Sequence, residues 1–434
     1  MDLFAENSLK NDAPSSAQLS TKKSAFSSKY PLLTALALAL GAAIALGMSR
    51  FSYALFLPLM RSDLDWSYLT AGNMNTGNAM GYFVGAMTSA WVFAKLGLRK
   101  TFLGMTFLTI LAMFYTGYVE DVIIIFSLRF LLGLFCGYIF ISGGVLATQL
   151  SSQHVHQSGL ILGIYYGGVG GGILLSSLLV NPFEHWAFSQ GLLHPWQYAW
   201  IGLALLGLTM WLMMILPITS IVEMQEVTIP NNEHIQAKES SWIVSGYFLY
   251  GIGHVGYMTF VVALLRELGL QGQQINLFYG LLGIFVMASS RLWAAILDRA
   301  KGGEANGRVN LILSIACFIP TILAFMSNMG IPSQVIFYSV ILSSILFGSS
   351  FIVSVASTTA YVKHNYPKNQ WSIGIRFFTI IFATGQIIGP FLIGFIADHL
   401  GGLRMGLFVS SVLLISASFL SYRQKSLVDK KSVG

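Results

Sequence analysis

The chain reads as an all-α membrane protein with twelve transmembrane helices in two pseudo-symmetric six-helix bundles. Three observations predict this. Apolar stretches of about twenty residues, the length that crosses a bilayer, recur along nearly the whole sequence. Basic residues gather on alternate connections between those stretches. Short motifs of the first half return in the same order in the second.

The hydrophobic share is 55% and only 9% of residues are charged, against near 25% in soluble domains. Such a surface would aggregate in water, and a bilayer is the solvent that suits it. The backbone must satisfy its own hydrogen bonds there, so the apolar stretches should be helices. The short alternating segments of a transmembrane barrel are absent. Cys136 and Cys317 lie within apolar runs and read as small packing residues, with neither a disulfide framework nor zinc spacing around them. The net charge of +7 sits beside the spans, as topology signals do, so no nucleic-acid partner is expected. No cofactor or metal is expected either.

Residues 1–30 form a polar cytoplasmic tail, too long and polar to be the leader of a signal peptide. The predicted spans are 32–58, 69–96, 101–118, 122–148, 158–180 and 197–217, then 241–264, 275–297, 308–327, 334–361, 371–397 and 403–421. The predicted organisation is therefore an N-terminal bundle over 31–217, a polar cytoplasmic linker over 218–240, a C-terminal bundle over 241–422 and a second tail over 423–434. With both termini inside, the outer connections hold only Arg61, Arg266 and Arg404, and the remaining loop and tail basic residues face the cytoplasm. An odd number of spans would scatter this bias.

The internal repeat supports the two-bundle plan. Gly47-Met-Ser-Arg50-Phe-Ser-Tyr53 in span one corresponds to Gly251-Ile-Gly-His254-Val-Gly-Tyr257 in span seven. Gly81-Tyr-Phe-Val before Trp91 corresponds to Gly283-Ile-Phe-Val before Trp293, and Gly137 and Gly163 correspond to Gly348 and Gly374.

Four arginines fall within spans: Arg50, Arg129, Arg291 and Arg376. A charge in the bilayer interior costs a few kcal/mol or more and marks a functional site by default. Arg50 lies about 6 Å outward of the middle of span one, and Arg129 about 9 Å outward of the middle of span four. No Asp or Glu occupies the middle of any predicted span. Either backbone carbonyls and water solvate these guanidinium groups, or the missing anion is the cargo. Arg50 is the expected cavity group, since its planar fork suits a carboxylate or phosphate. Arg129 is a candidate second substrate-binding group that helps Arg50 attract the anion, and a helix-linking element packed against carbonyls is the equal alternative. Arg291 and Arg376 lie near the cytoplasmic ends of their spans, where long side chains reach the interface.

His254 takes the place of Arg50 in the second half and is a candidate proton carrier; a neutral packing histidine is the equal alternative. Tyr53, Tyr82, Tyr257, Asn78 and Gln386 are candidate hydrogen-bonding groups of the cavity, with Asn75, Tyr165 and Tyr166 beside them. Gly170 and Gly172 in span five and Pro390 in span eleven are candidate gate hinges, or else sites of close helix packing.

With these residues in place, the sequence resembles the major facilitator superfamily over roughly residues 30–422. Lys95-Leu-Gly97-Leu-Arg99-Lys100 is similar to the family's loop after the second span, and Asp298-Arg299 to its counterpart after the eighth. Ala94 stands at the usual Asp position, leaving the first loop's charge network without its carboxylate. Arg129-Phe-Leu-Leu-Gly133 matches an element of the fourth span whose arginine the family ties to proton coupling. The strings Gly47-Met-Ser-Arg50-Phe51-Ser-Tyr53, Leu57-Pro58-Leu59-Met60, Gly81-Tyr82 and Gly85 resemble the YbfB/YjiJ-type bacterial branch. The resemblance implies the family's twelve-helix fold and a transporter rather than an enzyme.

The expected activity is secondary active transport of a small organic anion across the bacterial inner membrane, by alternating access in a monomer, with protons as a candidate coupling ion and symport as the mode. An efflux permease for hydrophobic or cationic compounds would prefer a membrane carboxylate. A membrane-embedded enzyme would need clustered His, Asp or Glu at a membrane face, and His154-Val-His156 has no acidic neighbour in sequence. A non-transporting sensor would need an output domain.

Overall fold

The computed structural model describes residues 25–223, 239–367 and 370–427. Among these residues there is no strand, and twelve long helices carry the architecture. They are α1 (Pro31–Asp63), α2 (Tyr68–Leu96), α3 (Leu98–Thr116), α4 (Val122–Gln153), α5 (Ser158–Ser189) and α6 (Pro195–Thr219), then α7 (Ser241–Glu267), α8 (Gly272–Arg299), α9 (Glu304–Phe325), α10 (Ser333–Asn365), α11 (Trp371–His399) and α12 (Gly402–Arg423).

Ten of the twelve are individually long and apolar enough to cross a membrane. The other two, α2 and α3, meet that test together, across a 119° bend. The chain turns there at Gly97, whose φ of +78° suits glycine. At 29 and 19 residues they are about 43 and 28 Å long, and each matches a hydrocarbon core of about 30 Å. We therefore count them as two spans, and the twelve-helix architecture stands.

Several helices run further than predicted. The fifth continues to Ser189, nine residues past the predicted end at 180, because a helix carries on into the interface where polar side chains are solvated. The sixth continues to Thr219, so the polar linker begins at Ser220, and its residues 224–238 lie outside the described part. Of the predicted first tail, Ala25–Lys29 forms a short helix, and Ser27 Oγ donates to Ser220 O at 2.9 Å. At the other terminus, Leu427 N donates to Asn365 Oδ1 at 2.6 Å and Gly303 N to Gln424 O at 2.8 Å, which pins residues past α12 against α9 and α10.

Helix ends are satisfied by carboxylates. Asp121 Oδ1 accepts from Ile123 N and Ile124 N at the start of α4, both at 2.9 Å. At the start of α3, Glu223 accepts from Leu98 N and Arg99 N at 3.0 Å each and from Arg99 Nε at 2.8 Å. The carboxylate missing at Ala94 is thus supplied from beyond α6. Desolvation acts to raise the Glu223 pKa, but the Arg99 side chain and the two backbone N–H donors outweigh it and hold the carboxyl below its usual range.

Close helix approaches set the site. Where α2 crosses α4, a Cβ at Gly81 would strike Phe130 O and one at Gly133 would strike Asn78 O. Only glycine lets these backbones meet, and the crossing brings Asn78 and Arg129 together. Where α7 crosses α11, a Cβ at Gly251 would lie 2.7 Å from Phe382 O and one at Gly385 2.5 Å from Phe248 O, which brings His254 beside Gln386.

Candidate functional site

The first helix is irregular where it carries its arginine. Residues Ala43–Phe51 form a π-helix, and Ser52 N donates to Gly47 O at 3.0 Å, the five-residue spacing of that form. A widened turn inside a span often marks a functional site, and no motif in the sequence announces this one. The α5 helix lies directly on the widened stretch, where a Cβ at Gly172 would strike Ala43 O.

Arg50 projects from this stretch and is 4% exposed. Its Nη2 donates to Gln386 Oε1 of α11 at 2.9 Å. The guanidinium lies 4.8 Å from the Tyr82 ring centroid and 5.8 Å from that of Phe51, and the Cys136 thiol is within reach. Gln386 Nε2 lies 3.4 Å from His254 Nε2, and His254 Nδ1 lies 2.8 Å from Tyr250 O. A carbonyl only accepts, so Nδ1 carries the hydrogen and Nε2 is the acceptor in the neutral ring. Residues of α1, α11 and α7 thus form one relay across the two halves. His254 stacks on Tyr250 at 4.4 Å and on Phe382 at 5.4 Å, with interplanar angles of 16° in both pairs.

Arg129 forms a second cluster. Its Nη1 donates to Ser49 O at 2.7 Å and its Nη2 to Asn75 Oδ1 at 2.6 Å, over the Tyr53 ring at 4.4 Å. Asn78 Nδ2 donates to Arg129 O at 3.0 Å, and Tyr53 OH to Ala71 O at 2.9 Å. This clamp fixes the residue next to Arg50 against α2 and α4. Among the described residues no ion pair engages Arg50 or Arg129.

The remaining predicted residues lie apart from Arg50. Tyr257 is buried between α7 and α10, with its hydroxyl 2.7 Å from Ser343 Oγ and its ring stacked on Phe347. Gly172 packs on α1, and a Cβ at Gly170 would strike Gly283 O of α8. The Pro390 carbonyl oxygen would lie 2.5 Å from a Cβ at Gly72, so Pro390 sits at the α2–α11 crossing. Thr76 Oγ1 donates to Ile387 O at 3.1 Å, in the turn that the proline disrupts. Arg291 and Arg376 are exposed. Tyr165 is buried, with its hydroxyl donating to Phe140 O at 2.6 Å, and Tyr166 is 41% exposed.

Cross-half hydrogen bonds gather between the level of Arg50 and the end opposite the termini. Tyr279 OH donates to Phe51 O at 2.5 Å and Asn75 Nδ2 to Thr259 Oγ1 at 2.7 Å. At that end the Asp398 carboxylate accepts from Tyr68 N at 2.9 Å and Leu69 N at 2.7 Å, capping α2 from α11. Tyr68 OH donates to Glu267 of α7 at 2.6 Å, under the Arg61 guanidinium. Sequence reasoning missed this clasp, as well as Cys136 and Phe382 beside the relay: contacts between residues some 330 positions apart in the chain leave no local signature. A histidine–carboxylate cluster also occurs at that end, where His194 meets Asp63 and Glu120. No grouping of three such residues there or elsewhere among the described residues is suited to a metal ion.

The fold has known relatives. The fold is similar to that of a D-xylose-proton symporter, with a TM-score of 0.69 and 12% identity over 91% of this chain and 98% of that one. It is similar to a bacterial homolog of the human lysosomal transporter Spinster in an inward-facing, occupied conformation, with a TM-score of 0.64 and 14% identity over 92% and 97%. A variant of the nucleoside transporter NupG gives a TM-score of 0.64 and 11% identity over 90% and 97%. At such identities the likeness speaks for the fold. Residues 42–422 match the family described as the uncharacterised MFS-type transporter YbfB, and a match over most of the chain places it there: the protein is a member of this transporter family of the major facilitator superfamily.

Proposed function

We propose that the protein carries a small organic anion across the bacterial inner membrane by alternating access, with Arg50 as the anion anchor and both termini in the cytoplasm. The observation that carries this reading is a guanidinium 4% exposed, near the middle of α1, whose side-chain partners among the described residues are the neutral Gln386 amide and the Cys136 thiol, with no carboxylate. A buried charge held by a neutral acceptor is only partly compensated, and an incoming carboxylate would complete it through a charge-assisted bond. Tyr82 and Gln386 border the same guanidinium and are the proposed contacts beside it. Arg129, with both terminal nitrogens bonded within the protein, acts by holding α1 in place. His254 is the proposed proton carrier.

The cross-half bonds at the end opposite the termini fit a state closed toward the outside, in which cargo leaves or enters from the cytoplasm. The end holding the clasp would open when the two bundles rock about the Arg50 level. The test is uptake into proteoliposomes of a panel of organic anions with the wild type and with Arg50→Gln and Arg50→Ala. Loss of one partner of a buried charged hydrogen bond costs about 2–5 kcal/mol, so anion uptake should fall by about 30-fold or more. Uptake of every anion at the wild-type rate in Arg50→Ala would end the reading.

A further inference from the structure

We propose that the site takes a monocarboxylate together with one proton, as an electroneutral pair, and that the Gln386 side-chain amide is the switch that makes the two bind together. This rests on the reading of Arg50 as the anion anchor. The relay of three groups is directional. Arg50 can only donate, so it takes the amide oxygen of Gln386. His254 Nδ1 is committed to Tyr250 O, so Nε2 offers a lone pair, and it takes the amide N–H. The orientation of the amide therefore satisfies both neighbours while the ring is neutral.

A proton added to the Nε2 lone pair turns that atom from acceptor to donor. The nearest acceptor is Gln386 Oε1, which becomes available if the amide turns over. The –NH2 group then faces the guanidinium, donor against donor, and Arg50 is left with the weak Cys136 sulfur as its side-chain partner. No covalent bond changes apart from the new N–H; the proton comes from water on the open side. Arg50 then needs an outside acceptor, and a carboxylate supplies two oxygens of the right charge. Conversely, a carboxylate on Arg50 releases the amide oxygen for His254 and cancels the positive charge that repels a proton there. Each ligand favours the other by the same factor, as linkage requires.

The charged and titratable surroundings of His254 fit this scheme. From α1 the facing group is Arg50. From α11 they are Gln386 and Phe382, and from α10 Phe351, none of which titrates. On α7 itself Tyr250 stacks on the ring, while one turn onward Tyr257 faces Cys317 of α9, Tyr279 of α8 and Ser343 of α10. Among these neighbours no carboxylate competes for the proton. The charge balance selects the cargo. Empty, the site holds the Arg50 charge; loaded with a monoanion and a proton, it holds the same net charge. A dianion with one proton would leave the site one unit less positive than when it is empty.

The test uses the full chain in proteoliposomes, with radiolabelled lactate, benzoate and succinate as probes and a potassium–valinomycin clamp of either sign. For the wild type we expect lactate and benzoate flux to rise by about tenfold per pH unit on acidification until His254 is saturated, one proton per anion. The clamp should leave this flux unchanged, and succinate should not be carried. In Gln386→Leu, whatever its level, the remaining lactate flux should show a pH dependence below about twofold per unit and should become sensitive to the clamp, a change that a mere packing role would not produce. His254→Gln should do the same, and serves if the leucine variant does not fold. Wild-type monoanion flux that is independent of pH or driven by the clamp would overturn the coupling while leaving the anion reading intact. A full pH slope retained in both variants would overturn the role of Gln386. Absence of flux for all anions would overturn the anion reading and this proposal with it.

Discussion

Replacing Asp398 should weaken the closure of the end opposite the termini, and the structure fixes the size of the effect. The Asp398 oxygens take the first two N–H groups of α2, from Tyr68 and Leu69, and Ser67 Oγ takes that of Thr70 at 3.0 Å. Loss of a capping side chain costs about 1 kcal/mol, and loss of a carboxylate from a helix N-terminus about 0.3–1 kcal/mol more. Asp398 is exposed, which holds the sum to about 1.5 kcal/mol, a shift of about tenfold in the closed-to-open ratio. Asn keeps one acceptor and loses the charge, so Asp398→Asn should shift it by about threefold. Distance distributions between spin labels at Tyr118→Cys and Leu400→Cys would report this, since both positions are well exposed and lie on opposite halves at that end. The natural cysteines, Cys136 and Cys317, are buried and should not compete for label. Unchanged distributions in Asp398→Ala and Asp398→Asn would refute the assignment of the clasp as a determinant of closure.

Glu223 gives a pH prediction with a definite sign. Its folded value lies below the ordinary 4.5, so its contribution to stability is complete above that value and is lost as pH falls through the lower one; thermal melts of Glu223→Gln should therefore lack part of the wild-type loss of stability in that acid range. Arg129→Lys cannot bridge Ser49 O and Asn75 with a planar fork, so it should lower the melting temperature by an amount equivalent to about 2 kcal/mol; an unaltered melt would show that the clamp carries little. Gly133→Leu at the α2–α4 crossing should be overpacked by about 3 kcal/mol or more, read as loss of monodisperse protein on gel filtration; normal yield and elution would contradict the close approach seen there.

The sequence by itself determined the parts that depend on solvent and local order. Twelve apolar stretches in lipid admit only helices, basic residues mark which connections are kept together, and the repeated Gly47–Tyr53 and Gly251–Tyr257 strings declare two related halves. It also singled out Arg50, Gln386 and His254, because a charge or polar group inside a span is conspicuous wherever it sits. Only the tertiary structure decided that these three form one relay, that Arg129 is bound up with Ser49 and Asn75, and that Tyr257 faces Ser343 instead. The same is true of the Asp398 clasp and the Glu223 cap. The physical reason is that helix crossings are set by which backbones can touch, at glycines such as Gly81, Gly133, Gly251 and Gly385. Periodicity along one helix gives no information about the partner helix, its register or the side chains it presents.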